Sequence, residues 1–158
     1  MINDLNELAN ILITNNLTIS VAESCTGGLL SSYLTSIPGS SKYFKEGVVS
    51  YSIESKNKRL LIDKELINKF GIISKEIAIE MAKSARDFLK SDIGIGITGN
   101  AGPDVNQKDT PVGLVYIALA IKKEVYSYKR LFEGSRDDIR LKTVKESLEI
   151  IKKEIVNI

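Results

Sequence analysis

Short apolar strands alternate with helical periodicities along this chain, and each of its first three strands runs into a polar junction carrying serine or glycine. LTISVA (17–22), GVVSYS (47–52) and DIGIGITG (92–99) read as strands, the last with glycines that let something approach its backbone closely. Leu5, Leu8, Ala9 and Leu12 have helical spacing, with Asn15-Asn16 as a stop. A second helix is expected from Thr26-Gly27-Gly28 to about Ser36, before the Pro38-Gly39 turn, and a third begins with ESKNKRLL. Ser74 can cap a fourth, whose apolar face is Ile77, Met81, Ala82, Ala85, Phe88 and Leu89. GLVYIALAI (113–121) and EVYSYKRLF (124–132) form an antiparallel hairpin around Lys122-Lys123. Leu141, Val144, Leu148, Ile151 and Ile155 then make one stripe of a closing helix, read as core packing rather than a coiled coil. Helices before, between and after the strands imply an α/β fold, a three-layer α/β/α sandwich around a mixed, mostly parallel sheet.

The 158 residues, 43% of them hydrophobic, suit one domain over 1–158. The sequence contains no histidine and one cysteine. That excludes a Ser-His-Asp or Cys-His apparatus and argues against zinc, and no Asp/Glu set has metal-ligand spacing, so neither metal nor cofactor is expected. A hydrolase built from this chain must take its base from a Lys, a carboxylate or a Tyr, and Ser-Lys chemistry is the nearest precedent. Twenty-two basic and 20 acidic residues give a net charge of +2, with no electrostatic case for nucleic acid. No apolar run approaches the roughly 20 residues of a membrane span, and the N-terminus carries acidic residues where a signal peptide would be basic. A cytoplasmic protein without a membrane partner is expected, and a single cysteine fits a reducing compartment.

Ligands of open α/β sheets bind beyond the carboxyl ends of strands, where AESCTGG, YSIESK and TGNAGPD lie. A cleft formed by all three is expected, although only strand order can bring them together. In the first junction Ser24 is either a nucleophile beside free amides of Cys25, Thr26 and Gly27, or simply the cap of the next helix, with Gly27 and Gly28 there for tight packing. In the second, Lys56 follows Tyr51 by five residues. To act as a base Lys56 must fall from about 10.4 to roughly 7 or 8, and otherwise it is a solvated lysine like Lys58 and Arg59 beside it. The third supplies Thr98, Gly99 and Gly102. Arg136 and Arg140, one helical turn apart, either clamp a phosphate or carboxylate or pair with Asp137 and Asp138.

The ordered blocks VAESCTGG, PGSSKYFKEGVVSYSIESK, GITGNAGPD with PVG, and GSRDDIR closely resemble the CinA C-terminal domain family, over residues 5 to 150. These are nicotinamide-nucleotide amidohydrolases, which convert nicotinamide mononucleotide to nicotinic acid mononucleotide and ammonia in pyridine nucleotide salvage and NAD metabolism. The resemblance implies a metal-independent Ser-Lys amidase with Ser24 as nucleophile, Lys56 as base and Tyr51 in support, while Cys25 is not the nucleophile. It matches the family's loop threonine to Thr98 and its arginines to Arg136 and Arg140. Thr26, Gly27, Gly28, Gly99 and Gly102 complete the expected substrate-binding set. The larger first domain of many members, with its activity, is expected to be absent. Asn100 stands where many members have an aliphatic residue, and NQKDT replaces a run richer in Gly and Glu, both near the expected pocket.

The expected chemistry is amide hydrolysis through an acyl-enzyme on Ser24, with Lys56 taking the proton directly or through Tyr51. Arg136, Arg140 or a helix N-terminus would hold the 5′-phosphate. The alternatives are a non-catalytic nucleotide- or phosphate-binding module and an amidase for another small amide. A homo-oligomer is compatible with the apolar stripes. The family's older association with competence and DNA damage finds no support in the composition.

Overall fold

A computed structural model describes residues 2–105 and 110–156. Along it run α1 (Ile2–Thr14), β1 (Ile19–Glu23), α2 (Leu29–Thr35), β2 (Phe44–Val49), α3 (Ile53–Leu60), α4 (Lys64–Phe70) and α5 (Lys75–Asp87). They are followed by β3 (Ile93–Gly99), β4 (Leu114–Ile121), β5 (Glu124–Leu131) and α6 (Arg136–Val156). The strands form one sheet in the order β2-β1-β3-β4-β5. β1 pairs in parallel with both β2 and β3, whereas β3–β4 and β4–β5 are antiparallel. Four strands therefore run one way and β4 runs against them, which is the mixed α/β sheet that the alternation of elements calls for.

Strand alternation sorts the two faces. Ile19, Val21, Ile93, Ile95, Ile97, Val115, Ile117 and Leu119 point to one core with Leu8 and Leu12 of α1, Leu30 and Leu34 of α2, and Val144, Leu148 and Ile151 of α6. Each such fully buried aliphatic side chain contributes about 1.5–3 kcal/mol. Beneath α5 the opposite face is made of small residues: Ala118 and Ala120 of β4 pack on Ala78 and Ala82 of that helix.

The partner of the β3 glycines is α5. A Cβ on Gly96 would lie 2.3 Å from the Ala78 carbonyl oxygen, and one on Gly94 would lie 2.0 Å from that of Ala82. The contact is backbone against backbone, so neither side can yield by a rotamer change. Gly96→Ala is expected to destabilise the protein by about 3 kcal/mol or more through overpacking, read from the urea midpoint.

Several boundaries differ from the sequence reading. The second helix begins at Leu29 rather than Thr26, because Gly27 and Gly28 adopt φ of +59° and +93°, outside the helical region. β2 occupies 44–49 rather than 47–52, since Ser52 leaves the sheet to cap α3, accepting from the Ser55 amide at 3.0 Å. α4, seven residues capped by Asp63, is too short to give a periodic signal. Ser74 caps α5 as expected, and Ile77, Met81, Ala82 and Ala85 are buried, but Phe88 lies past the helix end and is exposed. Leu141 is also exposed, because α6 turns Thr143 and Ser147 inward beside the stripe. Their hydroxyls donate to the Ile139 and Thr143 carbonyls, so burying them leaves no donor unsatisfied.

Candidate active site

Because β2, β1 and β3 are adjacent and parallel, their carboxyl ends, and the three polar junctions, meet on one edge of the sheet. Ser24 lies in the middle, its amide donating to the Ile97 carbonyl at 3.1 Å. The residue before it anchors the turn. Glu23 is fully buried, and its carboxylate accepts from the amides of Leu30 (3.0 Å) and Ser31 (2.8 Å) and from the Ser31 hydroxyl (2.7 Å). The first donors of α2 are thus occupied by an acidic side chain that its dipole also favours. The sequence reading missed Glu23, although an acidic residue closing an apolar strand was a visible signal.

Ser24 is not a helix cap: the cap position of α2 is Gly28, which has no side chain to offer. The expected set of free amides is smaller than anticipated, since the Gly27 amide donates to the Ser24 carbonyl at 2.9 Å. Among the described residues the Cys25 and Thr26 amides have no backbone acceptor.

Lys56 enters from α3, one turn after its Ser52 cap, and is buried although Lys58 and Arg59 beside it are exposed. Its Nζ lies 3.2 Å from Ser24 Oγ and donates to the Ser50 carbonyl at 2.5 Å. Burial lowers its pKa to about 8, opposed in part by the nearby Cys25. The solvated-lysine alternative is thereby overturned. Cys25 goes the other way: burial raises its thiol to about 12, against weaker opposing effects of its own backbone amide, Lys56 and Arg136.

A cavity of about 250 Å3 opens onto Ser24 and Cys25, walled by Tyr51, Thr98, Asn100 and Arg136. Tyr51 sits at its mouth, 56% exposed, with its hydroxyl accepting from Arg136 Nη2 at 2.8 Å. Arg136 Nη1 donates to the Gly102 carbonyl at 2.5 Å, so one guanidinium joins the second and third junctions. Thr98 is buried with its hydroxyl donating to the Ile72 carbonyl at 2.8 Å, and Gly99 ends β3 in the cavity wall.

Of the other expected binding residues, Thr26, Gly27, Gly28 and Arg140 do not line this cavity. Arg140 donates to the Thr26 carbonyl at 3.0 Å and pairs with Asp137 at 3.4 Å, and Gly27 packs beside its guanidinium. Gly28 packs on Val49, and Thr26 is fully buried. The two arginines therefore do not form a joint clamp, because each serves a different loop carbonyl.

Asn100 spends its side chain on the loop itself. It accepts from the Gly102 amide at 2.8 Å and donates to the carbonyls of Asp104 (2.9 Å) and Thr110 (3.2 Å). Residues 106–109 of the NQKDT run lie outside the described residues.

The family model for the CinA C-terminal domain matches residues 3–155. A relative from Clostridium tetani, named for competence-damage induction, is 48% identical over 149 residues, 94% of this chain and 36% of the relative. A CinA-like protein of Endomicrobium trichonymphae is 46% identical over 146 residues, 92% of this chain and 34% of its own length. This chain thus spans about a third of the curated relatives it matches. Among solved structures, a CinA superfamily protein of Klebsiella pneumoniae superposes with a TM-score of 0.96 at 25% identity, over 99% of this chain and 98% of that one. A competence or damage-inducible protein of Enterobacter asburiae gives 0.93 at 34% identity, over 96% of each chain.

Proposed function

The chain belongs to the CinA C-terminal domain family, and we propose that it is a metal-independent amide hydrolase converting nicotinamide mononucleotide to nicotinic acid mononucleotide and ammonia. One observation carries the reading: a buried lysine with a pKa lowered to about 8 stands 3.2 Å from a serine hydroxyl in the wall of a cavity. A desolvated amine within hydrogen-bond reach of a hydroxyl is what an activated serine requires when no imidazole exists.

Neutral Lys56 accepts the Ser24 proton as Oγ attacks the carboxamide carbon. The Ser50 carbonyl holds one N–H of the amine, which leaves its lone pair to face Ser24. The Cys25 and Thr26 amides are the candidate donors to the oxyanion, each worth about 3 to 4 kcal/mol. Lys56 then returns the proton to the departing nitrogen, ammonia leaves, and water activated by the same amine cleaves the ester. In this geometry Lys56 reaches Ser24 directly, so Tyr51 acts with Arg136 at the mouth rather than as a relay. What favours the amidase over a binding-only module is that Ser24 caps nothing and Lys56 is not solvated.

The deciding assay is ammonia release from nicotinamide mononucleotide, compared with nicotinamide and other small amides. A preference for another amide would keep the chemistry and change the substrate. No turnover of any of them would leave the binding module. Only the neutral amine is a base, so kcat/KM is expected to rise about tenfold per pH unit up to about pH 8 and then level. A flat profile from pH 6 to 9 would remove Lys56 from the base role.

A further inference from the structure

A second cavity, of about 750 Å3, adjoins the first, and Ile73 lines both. The sheet register joins them as well. Thr98 of β3 pairs with Tyr116 of β4, and Tyr116 pairs with Lys129 of β5. Cross-strand partners share a face, so the three side chains form a row on the side of the sheet that carries α5. Thr98 lines the catalytic cavity, whereas Tyr116 and Lys129 line the larger one.

The catalytic cavity, at about 250 Å3, is smaller than the roughly 300–1,000 Å3 usual for ligand sites. It has room for a ring with its carboxamide, but a nucleotide must extend beyond it. The arginines at the site are already engaged, Arg136 by Tyr51 and Gly102 and Arg140 by Thr26 and Asp137. The larger cavity offers unengaged cations instead. Lys129 comes from β5 and Lys75 from the first turn of α5, and neither has an ion pair among the described residues. Lysine is a compact point charge suited to a phosphate monoester, and the Tyr116 and Ser127 hydroxyls in the same wall can meet sugar hydroxyls. Among the described residues Glu76 is the one carboxylate in the lining, against the two lysines.

We infer that this cavity is the subsite for the sugar phosphate of the substrate, with Lys129 and Lys75 as its phosphate-binding cations. The identity of that group as part of an amide substrate rests on the amidase reading, whereas the anion subsite can be tested apart from turnover. The intact protein is titrated with ribose 5-phosphate by calorimetry, as wild type, Lys129→Met and Lys75→Met, variants that keep most of the apolar stem. Losing one charge-assisted bond should weaken binding about tenfold in each. In steady state, Lys129→Met should raise KM for nicotinamide mononucleotide by a similar factor with kcat within twofold, the signature of uniform binding.

Absence of ribose 5-phosphate binding to the wild type, or equal affinity in all three proteins, overturns the subsite. So does ammonia release with an unchanged KM in Lys129→Met, in which case the amidase reading stands alone. Lysine-dependent binding without ammonia release upholds the subsite and sinks the amidase reading.

Discussion

Ser24→Ala is expected to lower kcat for ammonia release by about four orders of magnitude or more, while Cys25→Ala is expected to retain activity within a few-fold. The contrast is large because the two neighbours sit in opposite environments. Ser24 Oγ has an amine of pKa about 8 at 3.2 Å, and removing a nucleophile from a unit of this kind typically costs as much as removing the whole unit. The Cys25 thiol is held at about 12 by burial and stays protonated at any working pH, so its greater intrinsic nucleophilicity is not expressed. Its substitution shows instead in stability, by about 1 to 2 kcal/mol, because it packs in the main core. Full activity in Ser24→Ala, or loss confined to Cys25→Ala, would reverse the assignment.

Lys56→Met is expected to lower turnover by about three orders of magnitude or more and at the same time to make the protein more stable at neutral pH. The sign follows from linkage. The folded-state pKa is about 8 and that of an unfolded lysine about 10.4, so the unfolded chain binds the proton more tightly. Below pH 8 the fold carries the full cost of protonating a buried amine, about 3 kcal/mol, and that cost shrinks as pH rises from 8 toward 10.4. Methionine avoids it and fills a similar volume, but leaves the Ser50 carbonyl without its donor, a loss of about 1 to 2 kcal/mol. The net expectation is a gain of roughly 1 to 2 kcal/mol at pH 7 by urea denaturation, fading by pH 10. An equal loss of stability at both pH values would show that Lys56 is a structural contact rather than a residue held ready for chemistry at the expense of the fold.

Most of the elements were legible because they repeat. The period of two in DIGIGITG follows from isoleucines facing the main core and glycines facing α5, and the helical spacing of Ile77, Met81 and Ala85 from burial of one helix face, which local sequence records. Boundaries set by single residues were less visible. The start of α2 moved because two glycines took left-handed conformations, and α4 escaped notice because seven residues carry too few repeats. At the site, the family resemblance singled out Ser24, Tyr51 and Lys56, whereas residue chemistry alone left Ser24 open as a helix cap and read Lys56 as a solvated surface lysine. The arginine pair shows a further limit. Spacing places Arg136 and Arg140 on one helical face, yet each guanidinium is aimed by a carbonyl from a distant loop, Gly102 for one and Thr26 for the other.

The sequence by itself determined an alternating α/β chain and, through the absence of histidine, that any serine nucleophile must find another base. Both are matters of composition and of short-range periodicity. Only the tertiary structure decided which basic side chain stands beside Ser24. The strand order β2-β1-β3 brings the Ser24 turn beside the start of α3, across 32 residues of chain, and closes the core around Lys56 Nζ. A lysine becomes a base near neutral pH through desolvation, and desolvation is a property of surroundings assembled from the whole fold.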